Sequence, residues 1–345
     1  MATQTLFPRF MRLWYRDVLQ KAVLGAFVGT LTFALALLRA VSPQSVPDIG
    51  VSVAALAVTV SVVLFLVYLD RFVHNLRPVA VAWNVAAAGA RVFESADWGP
   101  AGAPLRPPAG EPSLVVCSGE AGIIQAIDRA GLLAAAARYD CLVVMPHAVG
   151  DLVPHGSRLL EVFGTGAPPA ADRLRGMVAL GEERTIEQDP AFAMRILVDI
   201  AIRALSPAVN DPTTAVQVLG ALEDLLLLIG ESDLSGSGAI RDATGTVRVI
   251  VETRRWEDLL ALAMTEIRDY GATSTQVTRR TRALLEHLAV RVRPEHRPAV
   301  AEQLAALDDA LGRAVPDPTA REFASRPDLQ GIGGAPHVER DVVSS

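Results

Sequence analysis

His147, Asp151 and His155 fall in one short stretch of the chain. Placed at alternating positions on a hairpin, such residues could hold a metal ion and activate a bound water. A catalytic zinc site needs three well-placed ligands and a supporting second shell. Loop histidines that simply face solvent are the commoner arrangement, and no cofactor is expected. A denser polar set lies further on, with Arg184, Gln188 and Asp189 followed by Arg195, Asp199 and Arg203. The last three recur every four residues and form one charged stripe on a helix. That stripe is either a ligand-facing surface or a structural ion-pair row, with Glu223 or Asp224 as its partner. Ser206, Asn210, Asp211, Thr213 and Thr214 then crowd a helix N-terminus. Free N–H groups there could take an anion, and the oxygens a cation, although capping alone accounts for these residue types.

Other chemistry is excluded or unsupported. Lys21 is the only lysine. The rest of the chain therefore has no lysine for a phosphate-binding loop, a Schiff base or a prosthetic-group attachment. No nucleophile with an evident base and no complete glycine-rich phosphate loop is visible. The expectation is that the protein is not an enzyme.

Helices must position the polar set. Asp189-Pro190 and Asp211-Pro212 each read as an N-cap followed by proline at the first helical position. They open helices over 191–205 and 213–229 that are apolar nearly all round, and such helices are buried. Both are expected to form domain core or a subunit interface, and specifically the contact of a homo-oligomer. Upstream, strands are expected at 113–117, 122–127, 141–145 and 158–163, with a helix capped by Asp128 between the second and third. The stretch VGDLVPHGSRLLEV has the spacing of biotinyl and lipoyl hairpins, which suggests a small β-barrel shape without the attachment lysine. Cys117 and Cys141 are expected to be free thiols on neighbouring strands. Downstream, a hairpin over 239–252 precedes helices at 256–270, 275–291 and 298–313.

Two runs near the N-terminus fix the location. Val23–Val41 and Val51–Leu69 carry one charge between them, Arg39, and each is long enough to span a bilayer. Neither holds a mid-membrane acid, histidine or arginine, so a proton relay is not indicated. Gly25 and Gly29 form a small-xxx-small pair that could let helices approach closely. Ser42–Gly50 has no Lys or Arg whereas both outer flanks do, which places both termini in the cytoplasm of a multi-pass protein of the cytoplasmic membrane. Residues up to Arg77 carry seven basic and three acidic side chains, yet the whole chain is −6. The remainder is acidic, which argues against a nucleic-acid partner.

The expected fold class is an α-helical membrane hairpin plus a cytoplasmic α+β region, a small β-barrel-like domain followed by a mainly helical one. Its divisions are a basic amphipathic surface helix (1–22), spans at 23–41 and 51–69, and a juxtamembrane helix (70–97) kinked at Pro78. A Pro/Gly/Ala linker (98–112), the β-rich domain (113–164), the helical domain (182–324) and a disordered tail (325–345) follow.

The segment RTIEQDPAFAMRILVDIAIRALSPAVNDPTTAV, with its A-L-S-P-x-x-N-D-P-T-T-A core at Ala204–Ala215, resembles a bacterial membrane-protein family called domain of unknown function 2254. PRFMRLWYRD, GIIQAID, GDLVPHG, WEDLLALAMTEIRDYGA and QGIGG match its pattern, so the resemblance runs from Pro8 to Gly334. It implies another pair of membrane helices upstream in most members, and this sequence begins after them, as a shortened member or from a late start codon. At Asn75–Pro78, NLRP replaces a more regular helical stretch. The family brings no established activity. The functional expectation is an oligomeric, channel-like or gating membrane component, with the lipid bilayer and copies of itself as partners. A membrane-anchored sensor or scaffold is the alternative, and a metal-dependent membrane enzyme using His147, Asp151 and His155 is the third.

Overall fold

The computed structural model describes residues 18–41, 47–75, 77–95, 108–234 and 238–334. Most of the expected surface helix (1–22), most of the linker (98–112) and the last eleven residues of the expected tail lie outside them.

The chain divides into two units, Met1–Ala80 and Val81–Ser345. The first holds α1 (Val18–Ala40) and α2 (Asp48–Asn75). At 1.5 Å per residue these are about 34 and 42 Å long. They lie antiparallel: Phe27 meets Phe65 edge-on at 5.8 Å, and the Thr30 and Ser61 hydroxyls share a hydrogen bond of 2.9 Å. Gly50 lets Leu37 approach near the opposite end. Large aliphatics cover the outside, with Leu24, Leu31, Leu38 and Leu56 each more than 60% exposed. Gly25 and Gly29 face open space rather than α2, so they do not make this helix–helix contact.

The juxtamembrane stretch is broken rather than kinked. α2 stops at Asn75 and α3 (Pro78–Ser95) starts afresh with proline at its first position, where no N–H is needed. From Val81 onward α3 belongs to the second unit.

The second unit contains β1 (Leu114–Cys117), β2 (Gly122–Ile127), α4 (Arg129–Arg138), β3 (Leu142–Met145), β4 (Leu152–Val153), β5 (Arg158–Phe163), α5 (Ala171–Arg175) and β6 (Val178–Gly181). Then come α6 (Pro190–Ala204), α7 (Pro212–Gly230), β7 (Ala239–Arg241), β8 (Val247–Val251), α8 (Trp256–Gly271), α9 (Thr275–Arg291), α10 (Arg297–Ala314) and α11 (Pro318–Ala324). The strands do not close into a barrel. They form an open five-stranded sheet, β1-β5-β3-β8-β7, and a separate three-stranded sheet, β4-β2-β6. β8 lies parallel to β3, with Val143 opposite Val249 and Met145 opposite Val251. The β-rich stretch and the helical stretch are therefore parts of one unit, because β3 completes its ladder with a strand about a hundred residues away. The fold is mixed α/β, with its strand core around Val116, Leu132, Val143, Leu160 and Val249.

α6 and α7 are core. Ala193, Met194, Leu197, Val198, Leu219, Leu222 and Leu226 have essentially no exposure, and α8, α9 and α3 pack around them. α7 is long and apolar enough to cross a membrane, yet most of it is buried in this unit. The pair is covered within a single chain, so the expected oligomer contact does not lie there.

The segment after Ser325 is tied down as far as Gly334. Asp328 accepts from the N–H groups of Gln330, Gly331 and Gly333, and the fully buried Arg279 donates to the carbonyls of Arg326 and Gly334. Glycine and proline content led to the expectation of a disordered tail, but among its described residues the N–H groups of Arg326, Asp328, Gln330, Gly331 and Gly333 have hydrogen-bond partners.

Candidate functional site

Asp189 lines a polar cleft of the second unit. It caps α6, with Oδ1 accepting from the Phe192 N–H at 3.2 Å. The residue is only 3% exposed, and its Oδ2 has no hydrogen-bond partner. Burial pushes its carboxyl above the ordinary value of 3.8, against the opposing pull of the Phe192 N–H and the charges of Arg184 and Arg254. Gly150 covers Oδ2. Its φ of +94° suits glycine, and a methyl group added there would collide with the carboxylate.

Hydrogen bonds tie the surrounding segments together. Gln188 clamps the end of β2, accepting from the Ile127 N–H at 3.0 Å and donating to the Ile127 carbonyl at 3.3 Å. Gly150 N–H donates to the Ile124 carbonyl. Asp151 accepts from the Ala148 N–H and pairs with Arg254 at 2.6 Å, joining this loop to the segment after β8. The cleft so framed has a volume of about 300 Å³. Phe93, Ile127, Val251 and Leu259 supply apolar wall, and Arg129, Glu187, Glu252 and Arg254 supply charge. Apolar lining with a few convergent polar groups is the usual make-up of a small-molecule site.

The other expected residues are distributed differently. Arg195 pairs with Asp199 at 2.6 Å and with Glu266 of α8, so the partner of the stripe is Glu266 rather than Glu223 or Asp224. Those bonds hold the Glu266 carboxyl below its usual range and raise the Arg195 guanidinium despite its partial burial. Arg203 follows on α6, and its carbonyl accepts from the Ser206 hydroxyl. Glu223 is instead buried, paired with Arg280 and accepting from His287 at 2.7 Å. Sequence reasoning missed this α7–α9 network, whose partners lie about sixty residues apart.

His147, Asp151 and His155 do not converge. His147 bonds the Arg158 carbonyl, His155 the Gly119 carbonyl, and Asp151 is engaged as above. Among the described residues no three His, Cys, Asp or Glu side chains are grouped to hold a metal. Cys117 is exposed on β1 and Cys141 is buried beside β3, with β5 between the two strands, so they are not neighbours. Burial raises the Cys141 thiol pKa.

The profile of a family described as "Predicted membrane protein (DUF2254)" matches residues 1–287. The chain belongs to that family. An uncharacterized protein of Mycobacterium bovis and one of Mycobacterium tuberculosis (strain H37Rv) are each 28% identical to it over 360 aligned positions. The match covers 99% of this chain and 67% of each relative. No solved structure matches.

The segment on which the likeness to the DUF2254 family first rested, Ala204–Ala215, is a tight turn between buried helices. Asp211 N–H returns to the Ala204 carbonyl, and Asn210 adopts a left-handed φ of +48°. Asp211 accepts from both the N–H and the hydroxyl of Thr214, at 3.0 and 2.6 Å. These bonds, with a further one from the Thr213 N–H, hold the Asp211 carboxyl below its ordinary range. Ser206, Asn210, Asp211, Thr213 and Thr214 thus have turn and capping roles. The cleft at Asp189, with Gly150 and Arg254 brought to it from elsewhere, is the site candidate.

Proposed function

We propose that this protein is a membrane-anchored regulatory component whose folded unit binds a small molecule. In this reading α1 and α2 cross the cytoplasmic membrane as a hairpin, with both termini and the folded unit in the cytoplasm. The absence of Lys and Arg between Ser42 and Gly50 supports that orientation, and the exposed leucines of both helices support the span. The observation that carries the binding role is the second oxygen of the Asp189 carboxyl, Oδ2, buried without a hydrogen-bond donor in a residue that lines a cleft of about 300 Å³. A ligand bearing an N–H donor or a cationic group would supply the missing partner. Gly150, which covers Oδ2, belongs to the same loop as Ala148 and Val149 of the lining, so movement of that loop would open the carboxyl to the cleft. No catalytic step is part of this reading.

The test is thermal unfolding of the full chain in nanodiscs against a panel of small amines, carboxylates and nucleosides. Compounds that stabilise the wild type but not Val149→Trp, which obstructs the cleft, support the reading. A panel in which nothing stabilises the wild type counts against it. An oligomeric gating component is the second reading, favoured by the open strip at Gly25 and Gly29 on α1. Two spans cannot enclose a pore, so native mass spectrometry from nanodiscs must find four or more subunits. A monomer or dimer removes the gating role.

A further inference from the structure

We propose that the loop Leu329–Gly333, together with Trp83, is a docking surface for the lipid bilayer. The inference rests on the reading that α1 and α2 span a membrane. Leu329 and Ile332 are each 73% exposed, among the most exposed large apolar side chains of the second unit. They do not sit on a loose end. The Asp328 carboxylate holds three N–H groups of the loop, at 3.1, 3.1 and 2.8 Å. Gln276 donates to the Gly331 carbonyl at 2.6 Å, and Arg279 pins both sides of the loop while stacking over Phe323 at 4.4 Å. Gly331 and Gly333 take positive φ, and Gly331 is pressed onto Val216 and the Arg280 stem. A loop fixed by this many bonds holds its two aliphatic side chains outward, where water solvates them poorly.

Trp83 extends the surface. It is 45% exposed and lies over Gly220, where Arg280 also reaches, so the indole and the loop meet around one arginine. Tryptophan favours the headgroup level of a bilayer, and exposed aliphatics enter the boundary with the acyl chains. The covalent chain argues for lipid as the occupant. Trp83 comes eight residues after Asn75, the end of α2, and because Pro78 onward is helical the connection reaches less than the ~28 Å of eight extended residues. Arg77, exposed in that connection, adds a positive charge suited to anionic headgroups.

The experiment uses the full chain with Cys117→Ser, leaving the buried Cys141 in place. Ile332→Cys in that background carries an environment-sensitive fluorophore, and Leu31→Cys on α1 serves as the spanning control. Both are reconstituted into liposomes of phosphatidylcholine and phosphatidylglycerol with or without nitroxide-bearing lipid. The expected result is blue-shifted emission at 332 that lipid nitroxide quenches and aqueous iodide does not. Quenching at 31 with iodide access at 332 overturns the docking surface and leaves the span intact. A label at 332 shielded from both quenchers means that protein covers the loop, which also overturns the proposal. No lipid quenching at 31 removes the span and the docking surface together.

Discussion

Replacing Glu223 by alanine would leave the Arg280 guanidinium buried without its counter-charge. The Arg280 and Glu223 side chains are 9% and 10% exposed, so neither can turn to water without moving α7 or α9. One Arg280 nitrogen, Nη1, is already buried without a partner, and no second carboxylate pairs with this guanidinium among the described residues. Breaking such a pair from one side costs about 3–5 kcal/mol, far above the value of a surface pair. For a domain of this size roughly 2–4 °C of Tm accompanies each kcal/mol. Glu223→Ala should therefore lower Tm by about 6–20 °C. Replacing both partners, as Glu223→Leu with Arg280→Leu, removes the stranded charge and should recover much of that loss. Thermal unfolding in detergent, followed through the buried Trp256 indole, reads both variants. The reasoning fails if Glu223→Ala costs under about 1 kcal/mol, or if the double variant is less stable than the single one.

Three further outcomes follow from the same geometry. Asp189→Asn keeps a good N-cap and removes a carboxylate that burial disfavours, so it should unfold at a higher temperature than wild type at pH 7. Because the folded pKa is raised, wild-type stability recovers as pH falls through that pKa toward the ordinary 3.8, and the gap between the two proteins should close there. Asp211 has the opposite sign: its folded pKa is lowered, so its stabilisation is present above 3.8 and is lost as pH falls through the folded value. Asp211→Ala should cost about 0.5–2 kcal/mol at pH 7, and equal stability of the two proteins there would refute the cap. Gly89→Ala places a methyl 2.7 Å from the Ala193 Cβ and should cost about 1–3 kcal/mol by forcing α3 off α6, measured by denaturant midpoint.

Local chemistry was legible in the sequence. Asp189-Pro190 and Asp211-Pro212 announced the starts of α6 and α7 because a cap and a proline act within one turn. The strands at 114–117, 122–127 and 158–163 followed from short β-rich runs bounded by turns. α5 and β6, at 171–181, went unread because five helical and four strand residues leave too little periodicity to detect. The short α11 escaped for the same reason.

Pairing was the part that could not be read, and the site depends on it. The apolar runs of β3 and β8 each say "strand", but nothing in either specifies the other, so the boundary expected between a β-rich and a helical domain cuts through what is one sheet. Charged partners pose the same problem. Arg195 had acidic candidates on the next helix in sequence, while the one that meets it, Glu266, comes from α8 after two intervening strands. Asp189 shows how this bears on function. Its residue type and its position before proline identified a cap, which uses one oxygen. What makes it more than a cap is the fate of the other oxygen, and that is set by Gly150 on a distant loop. A cap is encoded locally, whereas an unsatisfied buried oxygen is a property of the assembled walls. The cleft at Asp189 is therefore a product of tertiary pairing, whereas the closeness of His147, Asp151 and His155 is local in sequence and does not survive as convergence in the fold.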